Sequence, residues 1–137
     1  MAYLLDTGFL FAFIDETDEY HQEVSLIFAS IHEPIYLPVP AVTEVAYFIS
    51  KYLGPRFLEQ FLVALADSDF VLEPPTSSDY LRAAEIIRKY NDANLDLVDA
   101  CIFAMSERMN ITKILTIDRR HFSIFRPRHC DAFEILP

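Results

Sequence analysis

The chain has 137 residues, is 53% hydrophobic and carries 12 Phe and 7 Tyr. That is enough apolar mass for one core in a single domain over residues 1–137, and it excludes a disordered chain. A formal net charge of −10 argues against a protein that grips nucleic acid by bulk electrostatics.

No apolar run approaches the ~18–20 residues that a membrane span needs. The stretch Met1 to Asp6 meets an acid without any basic region before it. Neither a membrane association nor a signal peptide is therefore expected, and a cytoplasmic location is. Cys101 and Cys130 lack metal-ligand spacing and read as two reduced thiols.

Tyr3-Leu4-Leu5 reads as a short buried strand that stops at Asp6, with Thr7-Gly8 as a turn. Phe9 to Ile14 is a continuous apolar run expected as a short helix, and Asp15 to Glu19 is an acidic surface turn. Val24, Ile27, Phe28 and Ile31 recur at helical spacing. Ile35 to Val39 is a second strand, kept short by Pro38 and Pro40. A helix follows Pro40, carries Glu44 early and runs to about Tyr52; Gly54-Pro55 breaks it. Phe57, Leu58, Phe61, Leu62 and Leu65 stripe the next helix, and Phe70-Val71-Leu72 gives a third strand before Pro74-Pro75.

Thr76 is expected to start a helix to about Tyr90, with Asp79 in a capping box and Leu81, Ala84, Ile87 and Ile86 facing inward. Leu95 to Asp118 opens on Asp96 and Asp99, runs through an apolar helix and turns at Met109-Asn110. It continues into a strand at Ile114-Leu115-Thr116 and ends on Asp118; a last strand spans Phe133 to Leu136. Strands alternating with helices predict an α/β domain: a central, mostly parallel, five-stranded sheet flanked by helices in three layers.

Sites in open parallel sheets form beyond the carboxyl ends of the strands. Asp6 and Asp118 stand at the ends of strands, Glu44 lies just after the second strand early in its helix and Asp99 in the first turn of its helix, so four acids distant in sequence can converge on one crevice. Like charges raise one another's pKa, and a hard divalent cation with oxygen ligands resolves that repulsion. Mg²⁺ or Mn²⁺ suits an all-carboxylate set, and such a site activates water for in-line attack on a phosphodiester. Each acid also has an ordinary explanation as a turn, cap or surface residue. Asp96 in particular reads as the N-cap of its helix and stands as a secondary candidate.

At these residues the chain resembles the PIN-domain proteins, specifically VapC-type toxins of toxin–antitoxin pairs, over essentially its whole length. The matching segments are Asp6-Thr7, Asp18-Glu19-Tyr20-His21, Pro40 to Glu44, Leu97-Val98-Asp99-Ala100, and Leu115 to Phe122, where Thr116-Ile117-Asp118-Arg119-Arg120-His121-Phe122 is the most specific. The tail from Phe125 to Pro137 is also similar. The resemblance implies a Mg²⁺- or Mn²⁺-dependent endoribonuclease acting on RNA, held as a homodimer and inhibited by a cognate VapB-like antitoxin. It carries the catalytic and metal-binding roles onto Asp6, Glu44, Asp99 and Asp118, with Thr7 and Thr116 as further candidates. Gly8 departs from the Ser or Asn frequent in the family.

Four of the 11 basic residues, Arg119, Arg120, Arg126 and Arg128, fall within ten positions just past Asp118. They are the expected RNA contacts, with His121, expected on a short loop, as a proton donor, a phosphate contact or an ordinary surface hydrogen-bonder. Tyr47, Phe48, Tyr52, Phe57 and Phe61 exceed what one helix pair readily buries and mark an expected antitoxin groove. Other classes fit less well. A receiver domain needs an acid pair after its first strand, and a haloacid-dehalogenase-type phosphatase needs Asp-x-Asp where Asp6-Thr7-Gly8 stands. A PIN nuclease of RNA processing without an antitoxin, or a PIN fold kept as a binding module, are the remaining alternatives.

Overall fold

The structure is a computed structural model that describes residues 1–137. In chain order the elements are β1 (Tyr3–Leu5), α1 (Thr7–Ile14), α2 (His21–Ser30), β2 (Ile35–Pro38), α3 (Val39–Tyr52) and α4 (Pro55–Asp67). They continue with β3 (Val71–Glu73), α5 (Ser77–Lys89), a 3₁₀ turn (Asn91–Ala93), α6 (Leu97–Met109), β4 (Lys113–Leu115), α7 (Arg119–Ile124) and β5 (Glu134–Leu136). The sheet has five strands in the order β3-β2-β1-β4-β5, every pair parallel.

This order has one consequence for function. From β1 the chain moves outward to β2 and β3, then returns to the other side of β1 for β4 and β5. With right-handed crossovers, α1 to α4 cover one face and α5 to α7 the other. The packing agrees, since α1 rests on α2 and α3, α3 on α4, and α5 along α6. The direction of winding therefore reverses between neighbours β1 and β4, and a crevice opens beyond their carboxyl ends.

Parallel strands covered on both faces read as continuous apolar runs, and all three residues of β1 are buried. A helix apolar all round belongs in the interior. Accordingly, nine consecutive residues of α6, Val98 to Ser106, are buried. The one hydroxyl among them, on Ser106, donates to the Phe103 carbonyl at 2.6 Å. Asn110 ends α6 in the left-handed region at φ 54°, as the Met109-Asn110 turn predicts. Gly54 at φ 97° makes the break before Pro55, the first residue of α4.

Three local expectations are corrected. Thr7-Gly8 is not a turn: Asp6 accepts the Thr7 N–H at 2.8 Å and α1 begins at once. Asp118 likewise caps the His121 N–H at 3.1 Å, so His121 lies on a helix and not a loop. The inner face of α5 is Ala83 and Ile86, whereas Leu81, Ala84 and Ile87 are exposed. Two ion pairs set that rotation, Asp79 with Arg108 at 2.9 Å and Arg82 with Glu107 at 2.7 Å. Asp79, Arg82, Ala83 and Ile86 form a single stripe at helical spacing, half of it charged, which apolar periodicity alone does not register. The capping box of Thr76 and Asp79 forms as expected. No helix is long and apolar enough to cross a membrane.

Candidate active site

Parallel pairing carries Leu5 opposite Leu115. The next residue of each strand terminus, Asp6 and Thr116, then enters the crevice side by side. The Asp6 backbone N–H is held by the Leu115 carbonyl at 2.9 Å. The Thr116 hydroxyl donates to Asp6 Oδ2 at 2.7 Å and accepts the Asp118 N–H at 3.0 Å. A fully buried hydroxyl thus fixes one acid by its side chain and another by its backbone.

Asp99 arrives from the start of α6. Asp96 Oδ1 accepts the Asp99 N–H at 2.9 Å and Asp99 Oδ2 accepts the Asp96 N–H at 3.3 Å, a complete capping box. Glu44 arrives from the second turn of α3. The crevice, about 450 Å³, is lined by Asp6, Thr7, Gly8, Glu44, Asp96, Asp99, Asp118 and His121, with Phe48, Leu95 and Ile117 as apolar wall. A larger cavity of about 620 Å³ sits at the opposite ends of β2 and β3, between Phe13, Phe28 and Phe70. It is mostly apolar and gathers no set of converging acids.

Three of the four expected acids are raised above their ordinary values, Asp6 and Asp99 strongly. Burial, opposed by the Thr116 and Thr7 hydrogen bonds and reinforced by the charges of Glu44 and Asp96, raises Asp6 to about 6. Burial, with Asp96 and Asp6 adding repulsion, raises Asp99 to about 7. Burial and Asp96 also raise Glu44, against a lowering contribution from Thr7. That Thr7 contact falls short of a well-formed hydrogen bond, and the buried Thr7 hydroxyl has no other partner. Asp96 acts on all three acids, so it faces the crevice while it caps α6.

His121 supplies the local positive charge. Its Nε2 lies 2.9 Å from the Ala93 carbonyl, and its Nδ1 lies 2.7 Å from Asp118 Oδ2 and 3.5 Å from Asp99 Oδ2. The Ala93 carbonyl and the Asp118 carboxylate are acceptors, an arrangement that favours the doubly protonated imidazolium. Burial works to lower the His121 pKa, but the Asp118 hydrogen bond and the charges of Asp118 and Asp99 outweigh it and raise it. One imidazolium does not balance the acids gathered here. The carboxylate oxygens of Asp99 and Asp118 and a His121 ring nitrogen lie within 4.8 Å of one another. With His121 protonated, the carboxylates are the atoms left to take a cation, and the buried Thr7 hydroxyl beside them lacks a hydrogen-bond partner. The donor set is dominated by carboxylate oxygen and fits a hard divalent cation.

The sequence matches the PIN domain family over residues 3–126. The chain belongs to that family. Ribonuclease VapC26 of Mycobacterium tuberculosis (strain ATCC 25618 / H37Rv) is 29% identical over 134 residues, covering 98% of this chain and 99% of that one. Among solved structures, Mycobacterium tuberculosis VapC20, described as a Sarcin-Ricin loop cleaving toxin, has a TM-score of 0.84. It is 19% identical, over 98% of this chain and 99% of that one. VapBC2 from Rickettsia felis, bound to a DNA fragment from their promoter, has a TM-score of 0.73 at 14% identity and covers 100% of both chains. The five-stranded parallel sheet is the fold these structures share with this PIN domain.

Within the PIN domain the arginines expected at the site are dispersed. The Arg119 guanidinium donates to the carbonyls of Ile135 and Pro137, tying α7 to the last strand. Arg120 is exposed at the start of α7. Arg126 donates to the Ser123 carbonyl at 2.9 Å and lies with Arg128 outside the crevice. The Ala93 carbonyl that orients His121 was not foreseeable, because a backbone group leaves no mark in residue type. Gly8 does have a legible reason: a Cβ there would lie 3.1 Å from Ile117 Cγ1 and 3.3 Å from its Cδ1. Ile117 fills the room that a Ser or Asn side chain would need.

Proposed function

We propose that this PIN domain is a divalent-metal-dependent endoribonuclease, using Mg²⁺ or Mn²⁺, and the toxin of a toxin–antitoxin pair. The observation that carries the reading is the convergence of Asp6, Glu44, Asp99 and Asp118 on one crevice, with Asp6 and Asp99 raised to about 6 and about 7. Acids perturbed by burial and by one another in a cleft mark a candidate site for cation binding or chemistry. The named relatives, a ribonuclease and a Sarcin-Ricin loop cleaving toxin, support RNA as the substrate.

Asp6, Asp99 and Asp118, with Glu44 beside them, would hold the ion; when bound, it polarises water for attack and offsets charge on the phosphodiester. The chain's own part is positioning. Thr116 holds Asp6 and the Asp118 backbone in register, and the Asp96 cap turns Asp99 inward. His121, held by the Ala93 carbonyl through Nε2, sets Nδ1 against Asp118 and orients that carboxylate. Cleavage of total RNA, with ends mapped by primer extension, tests the reading. Cuts should require Mg²⁺ or Mn²⁺ and vanish in Asp6→Asn; identical cuts in EDTA would refute it.

Tyr47, Tyr52 and Phe57 are 59%, 61% and 44% exposed on α3 and α4, and Phe48 joins their face to the crevice wall, while Phe61 is buried. That aromatic face is the surface proposed for an amphipathic antitoxin helix. The VapBC complexes among the similar structures support such a partner. Part of the same aromatic face is proposed for the homodimer. Tyr52→Glu should then yield a monomer in sedimentation velocity, and an unchanged dimer would place the interface elsewhere.

A further inference from the structure

Five of the 11 basic residues lie together outside the acidic crevice. Arg82, Arg88 and Lys89 of α5, with Arg126 and Arg128 beyond α7, line an open depression of about 370 Å³ with Glu85 and no apolar residue. Arg82 is committed to Glu107 at 2.7 Å, Glu107 also accepts the Arg128 N–H at 2.9 Å, and Arg128 reaches Glu85 at 3.5 Å. Two acids therefore face five cations, which leaves a net positive region on a strongly acidic protein. Arg88 and Lys89 have no carboxylate within ion-pair distance. Arg126 uses one guanidinium nitrogen on a carbonyl of its own turn and keeps the others free.

The depression is joined to the crevice by two short rigid connections. The Tyr90 hydroxyl accepts the Arg126 N–H at 3.1 Å, and three residues later the Ala93 carbonyl accepts from His121. The intervening 3₁₀ turn rises ~2 Å per residue. Helix α7 makes the same link from the other side, from Asp118 at its cap to Arg126 just past its end, a helix of six residues and ~9 Å. The two sites are thus separated by a distance on the order of 10 Å.

We propose that this depression is a second phosphate site, holding the RNA backbone a few nucleotides from the scissile bond. It rests on the ribonuclease reading above. A crevice lined by carboxylates repels every phosphate except the one a metal neutralises, so flanking nucleotides must be held elsewhere. Arginine forks bind phosphate with two hydrogen bonds, and a positive groove can follow a backbone without reading sequence. An acidic protein segment is disfavoured because the lining has no apolar residue on which a peptide could anchor.

The test uses the full-length protein in EDTA with a short fluorescein-labelled single-stranded RNA of mixed sequence. Affinity is measured by anisotropy from about 50 to about 200 mM salt, the range over which phosphate contacts dominate the salt response. Each phosphate contact to a single strand contributes about 0.7 to the slope of log affinity against log salt, so Arg88→Gln with Lys89→Gln should flatten it by about 1.4. Across that fourfold range the variant's loss of affinity shrinks about sevenfold relative to wild type. Lys51→Gln with Arg56→Gln, an equal change in net charge on another face, should leave the slope as it is. Equal slopes for the two double variants would overturn the proposal. So would polyglutamate that displaces the RNA as well as unlabelled RNA of the same charge, since that assigns the depression to an acidic protein. Cleavage with Mn²⁺ is scored separately. A wild type that cuts RNA while Arg88 and Lys89 do not affect the slope sinks this proposal alone. One that cuts nothing but keeps the slope difference upholds the phosphate site and sinks the nuclease.

Discussion

Replacing Asp99 by Asn should stabilise the metal-free protein, and by an amount that depends on pH. Asp99 is 7% exposed, and burial together with the charges of Asp96 and Asp6 raises it from 3.8 to about 7. At about 1.4 kcal/mol for each tenfold change in proton affinity, ionising it in the folded state costs about 4 kcal/mol more than in the unfolded chain. The sign follows from the raised value. Below pH ~4 the acid is neutral in both states and the penalty is absent; it grows between pH ~4 and ~7 and is fully present above. Asn is neutral throughout and keeps an oxygen for the Asp96 N–H, but it gives up the attraction of His121. A net gain of about 2–4 kcal/mol at pH 8, falling toward zero at pH 4.5, is therefore expected. Urea denaturation in EDTA at pH 4.5, 6 and 8 measures it. Mg²⁺ or Mn²⁺ should then stabilise the wild type far more than the variant, because only the wild type retains the full ligand set. A variant less stable at pH 8, or a difference constant with pH, would refute the electrostatic account of the crevice.

Thr116→Val removes the hydroxyl that serves both Asp6 and the Asp118 backbone. It should cost about 1–3 kcal/mol at pH 8 and less at pH 5, where Asp6 is already taking up its proton; parallel denaturation at the two pH values decides this. Asp96→Ser should keep the α6 cap and retain most ribonuclease activity, since Ser is also a good N-cap. If it is as inactive as Asp99→Asn, the division of cap from ligand between these two acids is wrong. Gly8→Ser should destabilise by about 1–2 kcal/mol by overpacking Ile117, and Ile117→Val should restore part of the loss. A double-mutant cycle without coupling would show that Gly8 is not held by Ile117.

The strands and most helices were legible because their signals are local. Three buried apolar residues before an acid make β1, a run without a polar face makes α6, and Thr76 with Asp79 or Asp96 with Asp99 announces a helix start. The four acids were legible for a related reason: Asp6 and Asp118 follow strands, Asp99 opens α6 and Glu44 lies early in the helix after β2, and parallel strands bring these places to one edge. Tertiary structure alone decided the rest. Which face of α5 turns inward depends on Arg108 and Glu107 of a different helix, so the exposed Leu81 and Ile87 looked like core. The arginines after Asp118 formed one cluster in sequence, yet α7 turns them in different directions, Arg119 to the carbonyls of the last strand and Arg126 to the depression beside α5. Against burial, the pKa of His121 is raised by the joint action of Asp118, Asp99 and the Ala93 carbonyl, which come from three different parts of the chain. Chain periodicity reports what one element presents, whereas ion pairing, charge state and patch composition belong to pairs of elements and exist only once these have packed.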